Sequence, residues 1–162
     1  MGYRSFGYQP RQFQYPARRK EDLEHQLQVE ICNFLDTQML FHKLAYFAVP
    51  NALKFLSTLG SSHKIAAAYN KMRAEGFKDG VSDLVVVLKG QNGLKVGFFE
   101  QKRAATYKIS EKTGKRIINT PAGKTTESQE TFLAEVRKLG AFGAVSFTLE
   151  EFKSHWATFI AS

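Results

Sequence analysis

Between Gly80 and Arg103 the chain reads GVSDLVVVLKGQNGLKVGFFEQKR, a β-hairpin pattern around which the rest of the chain is organised. Leu84 to Leu88 is an unbroken apolar run, Gly90-Gln91-Asn92-Gly93 is turn chemistry, and Leu94 to Lys102 returns as a second strand rich in apolar and aromatic residues. These are two antiparallel strands. With residues 90 to 93 as the loop, Lys89 pairs with Leu94, Val87 with Val96, Val85 with Phe98, and Asp83 falls opposite Glu100. Opposed side chains have Cβ atoms about 5 Å apart, where like charges destabilise the ladder unless something neutralises them. Alternation puts Glu100 and Lys102 on one face and Gln101 on the other. Asp83, Glu100 and Lys102 therefore share a face. Mg²⁺ takes carboxylate oxygens, keeps several waters and gathers phosphate oxygens, and a lysine beside it is placed to orient one of those waters.

A chain of 162 residues with 43% apolar residues suits one globular domain with a real core. It contains no apolar run of about 18 residues and no hydrophobic N-terminal stretch, so neither a membrane span nor secretion is expected. Cys32 is the single cysteine; it sits in an amphipathic helix pattern and reads as a buried structural thiol. No Cys/His cluster suggests zinc.

The net charge of +8 calls for a polyanionic partner. Residues 1 to 20 carry +5 and residues 103 to 126 another +5, which leaves −2 for the rest. A slightly acidic core thus bears two basic arms. The first, residues 1 to 20, mixes Tyr3, Phe6, Tyr8, Phe13 and Tyr15 with arginine and shows no periodicity. It reads as a flexible tail that either stacks on bases and pairs with phosphates or packs on a partner subunit. In the second, Tyr107 to Ser110 and Arg116 to Thr120 flank a turn, which predicts a basic β-hairpin. Its Lys108, Lys112, Lys115 and Arg116, with Lys124 beyond, suit a phosphate backbone.

The domain proper is expected over 21–162, with 103–126 as an insertion. Leu23, Leu27, Ile31 and Leu35 mark an amphipathic helix from Glu21 to Leu40. On pattern alone its Glu24 is an exposed helix acid. Leu44 to Val49 is a short strand ended by Pro50, after which Asn51 is a turn residue, a cap or part of a site wall. Ser61 to Glu75 reads as a helix stopped by Gly76; its Lys64, Lys71 and Arg73 form a solvated face or a contact with phosphate. Thr126-x-x-Gln129 is a capping box opening a helix to Leu139, with Gly140 as the stop. Ala141 to Phe147 is a strand, and a final helix carries Phe152, Trp156 and Phe159 as core or dimer interface. This order predicts an α/β fold with a mixed four-stranded sheet flanked by helices.

Asp83, a span of 16 residues and then Glu100-Gln101-Lys102 resemble the D…(D/E)xK signature of the PD-(D/E)xK nuclease superfamily. Around it stand Glu24-x-x-Leu27-Gln28, Val49-Pro50-Asn51, Glu75-Gly76, Asp79-Gly80-Val81-Ser82-Asp83 and Ser128-Gln129. In that order, over residues 22 to 150, the chain resembles the VRR-NUC family of the superfamily. It departs from the family pattern at Ser82, where proline is usual, and at Gln101, where an apolar residue is usual.

The resemblance implies a restriction-endonuclease-like domain and a metal-dependent DNA endonuclease using Mg²⁺ or Mn²⁺. Asp83 and Glu100 are then metal ligands, joined by the main-chain carbonyl of Gln101 and by Glu24 directly or through water. Lys102 positions the attacking water, and Gln129 orients water or phosphate. The family implies 5′-phosphate and 3′-hydroxyl products, branched DNA such as a four-way junction as substrate, and a homodimer; small size and a standalone domain suggest a cytoplasmic setting in a prokaryotic or phage-infected cell. Two other readings stay open: a nuclease-fold module that binds DNA without cutting it, and a protein-interaction factor with basic arms.

Overall fold

The computed structural model describes residues 23–49 and 60–162. The N-terminal basic arm, Pro50 and Asn51 lie outside them, so the expectations placed there stay as sequence readings. In chain order the elements are α1 (Leu23–Gln38), β1 (Leu44–Ala48), α2 (Ser62–Ala74), β2 (Leu84–Gly90), β3 (Gly93–Gln101), β4 (Thr106–Ile109), β5 (Arg116–Thr120), α3 (Glu127–Lys138), β6 (Phe142–Ser146) and α4 (Leu149–Ala161). Four strands form one mixed sheet in the order β1-β2-β3-β6, with β3 and β6 parallel and the other pairs antiparallel. β4 and β5 form a separate two-stranded ribbon.

The two central strands are apolar because both their faces are covered. Leu84, Val86 and Leu88 of β2 and Phe99 of β3 join Leu27, Ile31 and Leu35 of α1 and Phe152, Trp156 and Phe159 of α4 in one core. Phe99 is its centre, with ring centroids 5.0 Å from Phe152, 5.6 Å from Phe142 and 5.8 Å from Phe159. Gly97 makes the room: a Cβ there would lie 2.7 Å from the Phe99 ring and 3.2 Å from that of Phe159. On the opposite face, α3 lays Phe132 edge-on against Phe98 at 5.3 Å and buries Leu133 and Val136. The helices thus lie on both faces, and the aromatics of α4 belong to the core.

The β2–β3 turn is tighter than expected. Gly90 pairs with Gly93, so the loop is the two residues Gln91-Asn92 rather than four, and Gly93 adopts φ 137°. The register survives because shortening the loop by one residue on each side keeps the same pairs: Lys89 with Leu94, Val87 with Val96 and Val85 with Phe98. Helix ends follow local chemistry. Ser61 caps α2 and accepts the Lys64 N–H, while Gly76 takes φ 96° just past its end.

Candidate active site

The last ladder pair between β2 and β3 is Leu84 with Phe99, so the next residues out, Asp83 and Glu100, face each other where the strands end. Asp83 is fixed by its own backbone, whose carbonyl accepts the Val49 N–H at 2.8 Å, and by its carboxylate, whose Oδ2 accepts the Gln101 N–H at 3.0 Å. The loop before it is pressed onto α3. Gly80 has φ 79°, and a Cβ there would sit 2.3 Å from the Ser128 carbonyl oxygen. Only glycine satisfies both conditions. From the other side, the Tyr69 hydroxyl of α2 bonds to the Asp79 carboxylate.

Glu100 is completely buried. Its Oε1 accepts from Lys102 Nζ at 2.6 Å and from the Gln129 side-chain amide. Its Oε2 has no hydrogen-bond partner among the described residues. Burial first, and then the neighbouring Asp83 carboxylate, push the Glu100 pKa up to about 7; the ion pair with Lys102 opposes them and does not win. Lys102 is held by β6, its N–H donating to the Ser146 carbonyl at 2.9 Å, and its side chain is 12% exposed. The cation is therefore fixed at both ends.

Gln129 performs two tasks with one amide. Its Oε1 accepts the Thr126 N–H at 2.9 Å, closing the capping box that opens α3, while its Nε2 donates to Glu100. The capping expected from the sequence is present, and the same amide also reaches Glu100. Gln101 points to the opposite face, buried, its Nε2 donating to the Phe99 carbonyl and its Oε1 without a partner among the described residues. Ser146 lies beside it in the parallel ladder, and its buried Oγ and that of Ser82 likewise find no partner among them.

Glu24 reaches the same end of the sheet by another route. Its Oε1 accepts the Arg103 N–H at 3.2 Å, one residue past Lys102. Among the described residues no group of three or more His, Cys, Asp or Glu side chains is assembled closely enough to hold a metal ion. The structure brings Asp83 and Glu100 together and holds Glu24 apart on a backbone amide. What remains suits a hard cation that keeps water: two opposed carboxylates, a buried carboxylate oxygen with a free lone pair, and a strand-end carbonyl.

Arg103 and Gly123 are absent from the sequence-derived set, yet both shape this corner. The Arg103 guanidinium donates to the Pro121 carbonyl at 3.1 Å, and the Gly123 N–H donates to the Arg103 carbonyl at 2.8 Å. A Cβ at Gly123 would come within 3.2 Å of Glu24 Oε1 and 3.5 Å of Lys102 Cβ. The insertion thus returns across the end of β3, bringing exposed Lys124 with it. Basic character next to Lys102 is a visible signal for Arg103; nothing local marks Gly123. Lys108, Lys112, Lys115 and Arg116 stand exposed on the ribbon and its turn, outside the carboxylate cluster.

Elsewhere, Cys32 is half-buried, and burial with the nearby Asp36 raises its thiol pKa, which keeps it protonated and unreactive. Lys71 of α2 pairs with Glu75 at 3.8 Å on an open surface. No helix among the described residues is long and apolar enough to cross a membrane. No protein-family model, curated protein or solved structure matches the chain.

Proposed function

We propose that the protein is a Mg²⁺- or Mn²⁺-dependent nuclease that hydrolyses phosphodiester bonds in DNA, on a restriction-endonuclease-like domain of the VRR-NUC kind. The observation that carries this reading is the buried Glu100, opposed to Asp83, tied to Lys102 and left with one unpartnered carboxylate oxygen. Folding gains nothing from opposed carboxylates in a buried corner, and a cation removes the conflict. Motif order along the sequence and two basic arms support the same reading.

Asp83, Glu100 and the main-chain carbonyl of Gln101 would hold the ion, with Glu24 reaching it through water. A divalent ion bound there supplies positive charge to a phosphoryl oxygen and makes a bound water more acidic. The chain's own groups do the rest. Gln129 and Lys102 both engage Glu100 Oε1, which leaves Oε2 as the oxygen to which no described residue donates. The Lys102 ammonium orients the attacking water and offsets negative charge that develops on the phosphate. Exposed Lys124, at the root of the insertion next to Gly123, would anchor the scissile strand.

The experiment is cleavage of labelled duplex, single-stranded, flap and four-way-junction DNA with Mg²⁺ or Mn²⁺, beside EDTA and Lys102→Ala controls. Cutting lost in both controls is expected; cutting that survives Lys102→Ala rejects this site. A second reading, a DNA-binding module that does not cut, is favoured by one observation: Glu24 is engaged by Arg103 rather than grouped with the other carboxylates. Salt-sensitive binding without cleavage in any metal would select it.

A further inference from the structure

The inserted ribbon has two different faces. Paired residues share a face, so the pairs Tyr107 with Ile118 and Ile109 with Arg116 gather those four side chains on one side, while Lys108 with Ile117 occupies the other. Lys115, two residues from Ile117, joins Lys108 there, and Lys112 stands in the turn at the tip. The first face is open: Tyr107 is 48% exposed, Ile109 64% and Ile118 60%. The Arg116 guanidinium lies 4.0 Å from the centre of the Tyr107 ring and covers one side of it. A two-stranded ribbon is marginal in water by itself, and a contiguous exposed apolar face marks an interaction surface.

Charge selects the occupant. Residues 103–126 carry +5, so a second copy placed ribbon to ribbon would bring an equal positive charge, and the −2 of its core offsets little of it, whereas a polyanion complements the ribbon. We propose that the ribbon lies in the major groove of duplex DNA beside the candidate active site. Tyr107, Ile109, Arg116 and Ile118 face the base edges, and Lys108, Lys112 and Lys115 reach the phosphate walls. This rests on the DNA reading above and adds the form of the substrate: duplex flanking the cut.

Groove dimensions support the assignment. The major groove, about 12 Å wide, admits a two-stranded ribbon in undeformed duplex, whereas the minor groove, about 6 Å wide, must be widened and the duplex bent to take one. Single-stranded DNA is held on open aromatic platforms, and Tyr107 is the ribbon's one ring, already half covered by Arg116. Isoleucine side chains meet the thymine methyl, and an arginine reaches O6 and N7 of guanine, both in the major groove. The root of the ribbon is pinned to Arg103 through Pro121 and Gly123, which keeps the groove contact next to Lys102.

The test uses the full chain carrying Lys102→Ala, in EDTA, so that cleavage does not interfere. Its probes are a labelled duplex, the same duplex with uracil for thymine, and one methylated at guanine N7, each with and without netropsin in the minor groove. Thymine-to-uracil replacement and N7 methylation should each weaken binding by about tenfold, and netropsin should leave it unchanged. Adding Ile109→Ser and Ile118→Ser should bring the thymine duplex down to the uracil level with an unaltered melting temperature, since the ribbon is a separate sheet.

Equal binding of the thymine and uracil duplexes, or competition by netropsin, overturns the proposal. So does a serine pair that turns a sedimenting dimer into a monomer while DNA binding persists, which assigns the face to a second copy. Wild-type cleavage measured in parallel separates the two readings. Groove discrimination without cleavage removes the nuclease alone, cleavage without discrimination removes the ribbon alone, and no binding to any DNA removes both.

Discussion

Gln129 joins the N-terminus of α3 to Glu100: one end of its amide closes the capping box on Thr126 and the other donates to the buried carboxylate. Helix stability and site geometry are therefore coupled through a single side chain, and variants can separate them. Gln129→Ala removes both bonds and should cost about 1 kcal/mol of stability together with most of the cleavage activity. Thr126→Ala breaks the cap but leaves Gln129 free to hold Glu100; it should cost about the same 1 kcal/mol and retain cleavage. Urea denaturation paired with single-turnover cleavage checks this. Equal activity loss in the two variants would reduce Gln129 to a cap.

Protonation of Glu100 gives the apo-protein an unusual pH profile. Its pKa rises from 4.5 to about 7 on folding, so between those values the native state binds more protons than the unfolded state. Stability should therefore fall as pH rises from 4.5 through 7, by on the order of 3 kcal/mol. Glu100→Gln should flatten that slope. Mg²⁺ or Mn²⁺ added at pH 8 should recover the lost stability in the wild type and not in the variant. Denaturation curves at pH 5 and 8, with and without the metal, are sufficient.

Lys102 is the cation that opposes this rise. Lys102→Ala leaves Glu100 with Gln129 alone, pushes its pKa higher, and should lower cleavage by about two to three orders of magnitude. The fold should survive below pH 7, where Glu100 takes up a proton instead of standing as an unpaired buried charge. Unfolding of the variant at pH 6 would mean that the pair is a structural support.

Gly80 tests how tightly the Asp83 loop is held. With φ 79° and the Ser128 carbonyl in the way, Gly80→Ala should destabilise the protein by more than about 1 kcal/mol and displace Asp83. Gly114→Ala, at φ 63° with open space around it, carries the backbone cost alone and should be milder. Comparing the two in the same denaturation experiment isolates the contribution of the contact.

Much of this corner is legible in the linear chain because the informative patterns are short-range. The facing of Asp83 and Glu100 comes from counting along one hairpin, and it survived an error in loop length because the trimming was symmetrical. Helix limits at Ser61, Gly76, Thr126 and Gly140 come from capping chemistry within four residues of each end. The contacts that lock the corner are different in kind. Gly80 meets Ser128 and Gly123 meets Arg103 and Glu24 across long stretches of sequence, and a glycine gives no sign of what it makes room for. Glu24 shows the same limit. On pattern alone it is an exposed helix acid, and exposed it is, but only the fold reveals that a backbone amide, not a carboxylate cluster, receives it.

The bond from Gly123 to the Arg103 carbonyl closes the base of the insertion, so the chain leaves the sheet and comes back to nearly the same point. A segment attached in this way is an interchangeable tool on a fixed handle. Residues 106–120 can lengthen, shorten or exchange their side chains while β3 still runs into Lys102 and α3 still begins at Thr126. The exposed face of the ribbon can then change by editing an appendix, and the facing of Asp83 and Glu100 is inherited untouched.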